Sequence, residues 1–257
     1  MGKNKILRWA ELDTLDNVIQ PAGMPAGRNH KIKGKWKSEV FRNENPIVLE
    51  LGCGKGEYTT GLSDIFPDRN FIGIDIKGAR MWRGAKTASE RQLKNVAFLR
   101  TRIEFINSFF TCDEVDEIWI TFPDPYPAKR NSNKRLTCPW FLNIYRNFLK
   151  NNGIIHLKTD NTELFDYTKK LVTGNGLELL FSTNDLYSVN GIDKYALKNV
   201  YSVPDKADDA ERILDKILSI RTHYEAGFLK EDLTINYLAF RLDKNKVICH
   251  GWDKIEA

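Results

Sequence analysis

The chain has 257 residues, 42% of them hydrophobic, and a formal net charge of +5. That suffices to bury a large core as one α/β domain with additions, while the charge is too modest for its total to name a partner, so its distribution matters. The four cysteines, Cys53, Cys112, Cys138 and Cys249, form no C-x-x-C pair, which argues against a zinc knuckle or disulfide framework and for a reducing compartment. The amino end mixes charge into every short window and lacks an apolar run with a cleavage site, and no apolar segment reaches membrane length. The expectation is a cytoplasmic protein with no membrane partner and no metal.

Residues 1–45 read as a basic N-terminal segment, with HKIKGKWKSEVFR from His30 to Arg42 just ahead of the first strand. From Ile47 onward, apolar runs alternate with amphipathic segments. The strand candidates are Ile47–Leu51, Asn70–Asp75, Val96–Arg100, Glu117–Phe122, Gly153–Thr159 and Leu177–Thr183. The first five are nearly continuously apolar, as strands covered on both faces are. Helical patterns fit Glu57–Phe66, Lys77–Leu93, Pro139–Lys150 and Asn161–Val172, the third opened by proline in its first turn. After Thr183 the pattern loosens until Asp205, a length that points to function or to local order of its own. One helix then fits Asp208–Phe228, beginning in the acidic run DKADDAERILD, and TINYLAFRL supplies a seventh strand. Strand and helix repeating in this order predict a doubly wound, mostly parallel sheet over residues 46–242, followed by a tail, 243–257.

The first strand runs into ELGCGKGEY, which places Glu50, Gly52, Gly54 and Gly56 in the pattern E-x-G-x-G-x-G. The glycines permit a tight turn and close ligand approach. Glu57 stands where a dinucleotide fingerprint needs a small residue, and Gly56 follows Lys55 where a phosphate-binding loop needs Ser or Thr. A phosphate ligand therefore fits poorly. An adenosine without phosphates, carrying a zwitterionic tail and a sulfonium, fits better, which describes S-adenosylmethionine. Asp75, ending the second strand, is suited to accept hydrogen bonds from two ribose hydroxyls, or else caps the next helix.

The fourth strand ends in TFPDPYPAKRNSNKRLT, where Asp124 sits between two prolines. Prolines restrict φ and hold Asp124 and Tyr126 in defined directions. From Tyr126 to Lys150 there are six cations, Lys129, Arg130, Lys134, Arg135, Arg146 and Lys150, and no Asp or Glu, which points to a polyanion. Tyr126 either stacks on a base or packs beneath the loop. His156, inside an apolar strand, reads as a core residue.

The segments KGKW (33–36), NPIVLELGCGKG (45–56), FPDPYPAKR (122–130), KRLT (134–137), LKTDN (157–161) and THYEAGF (222–228) are similar, in this order, to the bacterial tRNA guanine-N7 methyltransferase family. The resemblance implies a Rossmann-like class I fold with an antiparallel last strand, and transfer of a methyl group from S-adenosylmethionine to N7 of a guanine in the tRNA variable loop. It implies cofactor contacts at Glu50, Gly52, Gly54, Gly56, Asp75, Ile103 and Asp124, with Asp124 also catalytic. It implies substrate contacts at Lys129, Arg130, Asp160, Thr222, Tyr224 and Glu225. Arg102 and Ile103 replace the family's usual Asp-Ala, so adenine must be held by backbone groups or by a side chain such as Glu104. Ala128 stands where many members have a lysine, a role open to Lys129. The basic segment 1–45 is expected to face RNA, and the protein to be a monomer or homodimer. Two alternatives share these residues: methylation of an exocyclic amine, because Asp124-Pro125-Tyr126 is similar to a D-P-P-Y loop, and non-catalytic RNA binding with a weakened cofactor pocket.

Overall fold

The computed structural model describes residues 3–21, 28–188, 194–201 and 207–250. Its centre is one eight-stranded sheet: β1 (Val18–Ile19), β2 (Ile47–Leu51), β3 (Asn70–Asp75), β4 (Val96–Arg100), β5 (Val115–Thr121), β6 (Leu149–Thr159), β7 (Leu179–Thr183) and β8 (Asn236–Leu242). The spatial order is β1-β4-β3-β2-β5-β6-β8-β7, and β8 runs antiparallel to both neighbours while every other pairing is parallel. Parallel pairing demands crossovers, which the helices α2 (Glu57–Ile65), α3 (Gly78–Glu90), α4 (Pro139–Tyr145) and α5 (Thr162–Gly174) supply. All five residues of β2 are buried, and they alternate between layers: Leu49 and Leu51 pack with α4 and α5 residues, Val48 with Tyr58 and Leu62 of α2. Among the described residues no helix is long and apolar enough to cross a membrane.

Four expectations need correction. The sheet gains an eighth strand because Val18 and Ile19 pair with Phe98 and Leu99, extending the edge beyond β4. Within the basic N-terminal segment, residues 28–45 also contribute to the core. Ile32, Trp36 and Phe41 belong to the main core, and Trp36 is fully buried, stacked on Phe110 with its Nε1–H donating to the Phe109 carbonyl at 2.9 Å. Helix α1 (Lys3–Leu12) likewise lies against α3, with Leu12 in that layer's core. The fourth helix stops at Tyr145 because Leu149 already pairs with Val115, so Lys150 is strand, not helix.

The span read as one helix is two, α7 (Ala207–Ser219) and α8 (His223–Lys230). Thr222 caps α8: its hydroxyl accepts the Glu225 N–H at 3.1 Å, and the Glu225 carboxylate accepts the Thr222 N–H at 3.3 Å. Thr222 to Glu225 thus open a helix instead of lying near the end of one. Within the loosened stretch, α6 (Lys194–Tyr201) packs on α7, while 189–193 and 202–206 lie outside the described residues, as does the start of the acidic run at Asp205. The tail is docked as far as Cys249, which exchanges hydrogen bonds with Asn175, as the buried Ile248 does with Asn143; residues 251–257 lie outside the description.

Candidate active site

The loops leaving the carboxyl ends of β2, β3, β4, β5 and β6 converge on a cavity of about 1130 Å³, where ligands of open α/β sheets bind. Gly52, Cys53, Gly54, Asp75, Arg102, Ile103, Asp124, Tyr126, Trp140, Asp160, Thr222 and Tyr224 are among its walls. The turn after β2 carries positive φ at Gly52 (+77°), Gly54 (+56°) and Gly56 (+73°). A Cβ at Gly52 would meet nothing within 4 Å, so that face is open to a ligand, whereas at Gly56 it would lie 2.8 Å from the Phe98 ring. Gly56 therefore serves the turn and its packing and does not line the cavity.

Four of the five N–H groups from Gly52 to Gly56 are consumed by the protein. Gly52 and Cys53 donate to the Ile74 carbonyl at 2.8 and 3.0 Å, Gly54 donates to Asp75 Oδ2 at 3.0 Å, and Gly56 to the Cys53 carbonyl at 2.7 Å. A phosphate cradle requires such groups free, so the geometry agrees with the sequence in disfavouring phosphate. Asp75 also accepts the Lys77 N–H at 2.7 Å, leaving its carboxylate fixed at the rim with lone pairs to spare. Glu50 lies beneath the turn, 4% exposed and outside the cavity wall. Its carboxylate accepts from the Thr59 N–H and hydroxyl and from the Thr121 hydroxyl, tying the turn to α2 and β5. Burial pushes its pKa up to about 7 against the pull of those hydrogen bonds.

The Asp124 loop is held in an uncommon shape. Phe122 and Tyr126, each preceding a proline, adopt φ of +49° and +45°, a region that costs a non-glycine residue about 1–3 kcal/mol. The compensation is local. Phe122 donates its N–H to the Lys158 carbonyl at 2.8 Å and packs its ring against Phe228 of α8. Arg135, expected at the basic surface, is instead buried: its guanidinium donates to the Pro125 carbonyl at 3.0 Å, the Tyr126 carbonyl at 3.1 Å and Glu163 at 2.9 Å. Asp124 itself is exposed to the cavity, and no described residue donates a hydrogen bond to its carboxylate.

Lys129 and Arg130 are exposed on a short 3₁₀ turn (Lys129–Lys134) beside this loop but do not line the cavity; Lys134 does, with its ammonium 5.9 Å from the Tyr126 ring. The His30–Arg42 cations are mostly engaged at home, Lys33 with the Asn107 carbonyl, Lys35 with Glu39 and Lys37 with Glu44. The wall also includes Asp160, whose pKa burial raises, and the α8 cap Thr222 and Tyr224 of α8. Glu225 points the other way. It is fully buried and paired with Lys158 at 2.6 Å, so it is not part of the wall. Glu104 is paired with Arg102 at 2.8 Å at the far rim. Trp140, 49% exposed in the cavity wall, was not singled out from the sequence, although an aromatic on the first turn of a helix beside the basic run was a readable signal. His156 is core, stacked on Trp119 at 4.1 Å and hydrogen-bonded to Tyr237 at 2.8 Å.

This arrangement can be set beside known proteins. The "putative methyltransferase" family model matches residues 44–193. The tRNA (guanine-N(7)-)-methyltransferase of Bacteroides fragilis is 46% identical over 94% of this chain and 87% of its own length. That of Christiangramia forsetii is 46% identical over 94% and 99% respectively, and that of Bacillus subtilis 34% identical over 71% and 83%. The chain belongs to the tRNA (guanine-N(7)-)-methyltransferase family. Among solved structures, the 16S rRNA methyltransferase KamB superposes with a TM-score of 0.57 at 12% identity, covering 85% of this chain and 97% of that one, which shows the shared fold alone. For a methyltransferase, the cavity passes a test of fit to S-adenosylmethionine: open space over Gly52 and Gly54, a fixed acid at Asp75, an apolar wall from Ile103, Leu136 and Phe141, and no free cradle for phosphate. Among the described residues no group of His, Cys, Asp and Glu is placed to hold a metal ion.

Proposed function

We propose that the protein transfers a methyl group from S-adenosylmethionine to N7 of a guanine in the variable loop of tRNA, in the cytoplasm. The observation that carries this reading is the convergence on one cavity of the Gly52–Gly54 turn, Asp75, Asp124, Asp160, Thr222 and Tyr224. When bound, S-adenosylmethionine supplies a methyl group on an electrophilic sulfonium. Asp75 would hold the ribose, and Ile103, Leu136 and Phe141 would cover the adenine, a role in which Ile103 needs no acid beside it. Guanine N7 presents a free lone pair, so no proton need be removed before transfer. What the protein must supply is alignment and a field that tolerates a purine becoming cationic. Asp124, held by its strained loop and accepting no hydrogen bond from the described residues, is suited to provide that negative potential. Tyr224 and Tyr126 offer faces for an unstacked base, and Lys129, Arg130 and Lys134 neutralise phosphates outside.

The test is to offer labelled S-adenosylmethionine with unmodified tRNA, alongside the same tRNA with its variable-loop guanine replaced. Label in the first, recovered as 7-methylguanosine, and none in the second is the expected result. Equal incorporation into both, or label on an exocyclic amine, would reject it.

A further inference from the structure

Lys158 is a lysine buried to 0% exposure at the next-to-last position of β6, the longest strand among the described residues, two residues before Asp160. Its three ammonium protons are all spent: on Glu225 at 2.6 Å, the Tyr187 hydroxyl at 2.6 Å and the Tyr58 hydroxyl at 2.8 Å. Glu225, also at 0%, accepts in addition from Tyr187 at 2.5 Å, from Arg221 at 3.4 Å and from the Thr222 N–H. Arg221 closes the cluster by lying 3.5 Å above the Tyr187 ring. One ion pair therefore joins β6, α2, the segment after β7 and the first turn of α8.

The consequence for the cavity is geometric. Thr222, His223 and Tyr224 reach the cavity wall only because α8 begins where it does, and that start is written by a capping box whose acidic member is Glu225. The other end of α8 reaches the Asp124 loop through Phe228 on Phe122, and Lys158 itself supplies the carbonyl that accepts the Phe122 N–H. A carboxylate reading the guanine edge would need a free oxygen facing the cavity; Glu225 has neither exposure nor a place in the wall.

We infer that Lys158 and Glu225 act as a positioning pair, which sets the first turn of α8 and the Asp124 loop against the bound guanine without touching it. This rests on the guanine-N7 reading of the cavity. Loss of Glu225 leaves the Lys158 ammonium buried with no acid beside it, and loss of Lys158 leaves Glu225 with only the more distant Arg221 at 3.4 Å, so the two should fail together.

The test compares Lys158→Met, Glu225→Gln, the double variant and Tyr187→Phe in the full chain. Transfer to tRNA is split into kcat and KM, S-adenosylmethionine binding is measured separately, and amide hydrogen exchange is followed over 222–228. Each single charge variant should lower kcat by roughly 10²-fold, as a misplacement near 1 Å does, with exchange faster at the first turn of α8 and donor binding retained. The double variant should be no worse than the poorer single one. If a single charge variant does not fold, Tyr187→Phe, which removes the shared hydroxyl and strands no charge, should still speed exchange and slow transfer. Unchanged exchange and turnover in Lys158→Met or Tyr187→Phe, beside a Glu225→Gln that raises KM for tRNA, would overturn the inference and return Glu225 to the guanine. A wild-type protein that methylates no tRNA would defeat the functional reading, and the exchange measurement would still decide this one.

Discussion

Arg135, nine residues further along the basic run, holds the Tyr126 carbonyl, with Nη2 at 3.1 Å and Nε at 3.3 Å from the same oxygen. Tyr126 is a non-glycine residue at φ +45°, so the guanidinium keeps in place a backbone that would otherwise relax. Arg135→Lys preserves the charge and removes the planar fork. It should lower the melting temperature by an amount matching about 1–3 kcal/mol and cut turnover, while leaving the salt dependence of tRNA binding as it was. A reduced salt slope would mean that Arg135 meets phosphate after all.

Asp124→Ala removes an acid of the cavity wall whose carboxylate accepts no hydrogen bond from the described residues. By analogy with other groups that stabilise developing charge, turnover should fall about 10²–10³-fold with little change in tRNA affinity. Equal losses in both quantities would show that Asp124 binds the RNA and does not favour the transition state.

Glu50 predicts an acid-side signature. Its folded pKa is raised from 4.5 to about 7, so between those values the folded protein holds a proton that the unfolded chain has released. Stability from this group is full at low pH and is lost as pH rises through 7, on the order of a few kcal/mol. Urea midpoints measured from pH 5 to 8 should fall across that window in the wild type, after allowing for other groups, and the slope should flatten in Glu50→Gln.

Lys158 predicts the reverse on the alkaline side. Burial pushes its pKa down from 10.5 to about 8, with Glu225 pulling the other way and Arg221 adding to the depression. Above 8 the unfolded state binds the extra proton, so this group makes stability rise with pH, while neutral Lys158 no longer holds Glu225 as an ion pair. From pH 8 to about 9.5, short of the tyrosine range, activity should fall while the urea midpoint does not, and Lys158→Met should abolish the divergence.

Lys129 and Arg130 stand outside the cavity. Replacing both with alanine should raise KM for tRNA, reduce the salt slope of binding by about two and leave S-adenosylmethionine binding unchanged. A loss of donor binding would place them inside the site.

Much of this architecture is legible in the residues themselves. The continuously apolar runs of β2 to β5 announce strands covered on both faces, and the acid between two prolines announces a fixed loop, since both signals are local. What escapes is set by partners distant in sequence. Arg135 and Lys129 are both basic neighbours of one loop, and only packing separates the buried clamp from the exposed cation. Trp36 sits among lysines, so its burial depends on Phe109 and Phe110, more than seventy residues on. The break before α8 was readable: Thr222-x-x-Glu225 is a capping box, masked here by apolar periodicity that continues across it.

β8 enters the sheet between β6 and β7, so β7 touches no other strand until β8 is in place. β8 begins about 50 residues after β7 ends, which at ordinary rates of translation is a delay of about 3–10 s. Through that interval a nascent chain carries an open edge on β6 where its final strand will go. Synthesis of this protein is therefore a race between its own carboxyl end and any foreign strand that reaches the vacancy first, and slow codons or a truncation ahead of Asn236 would favour the intruder.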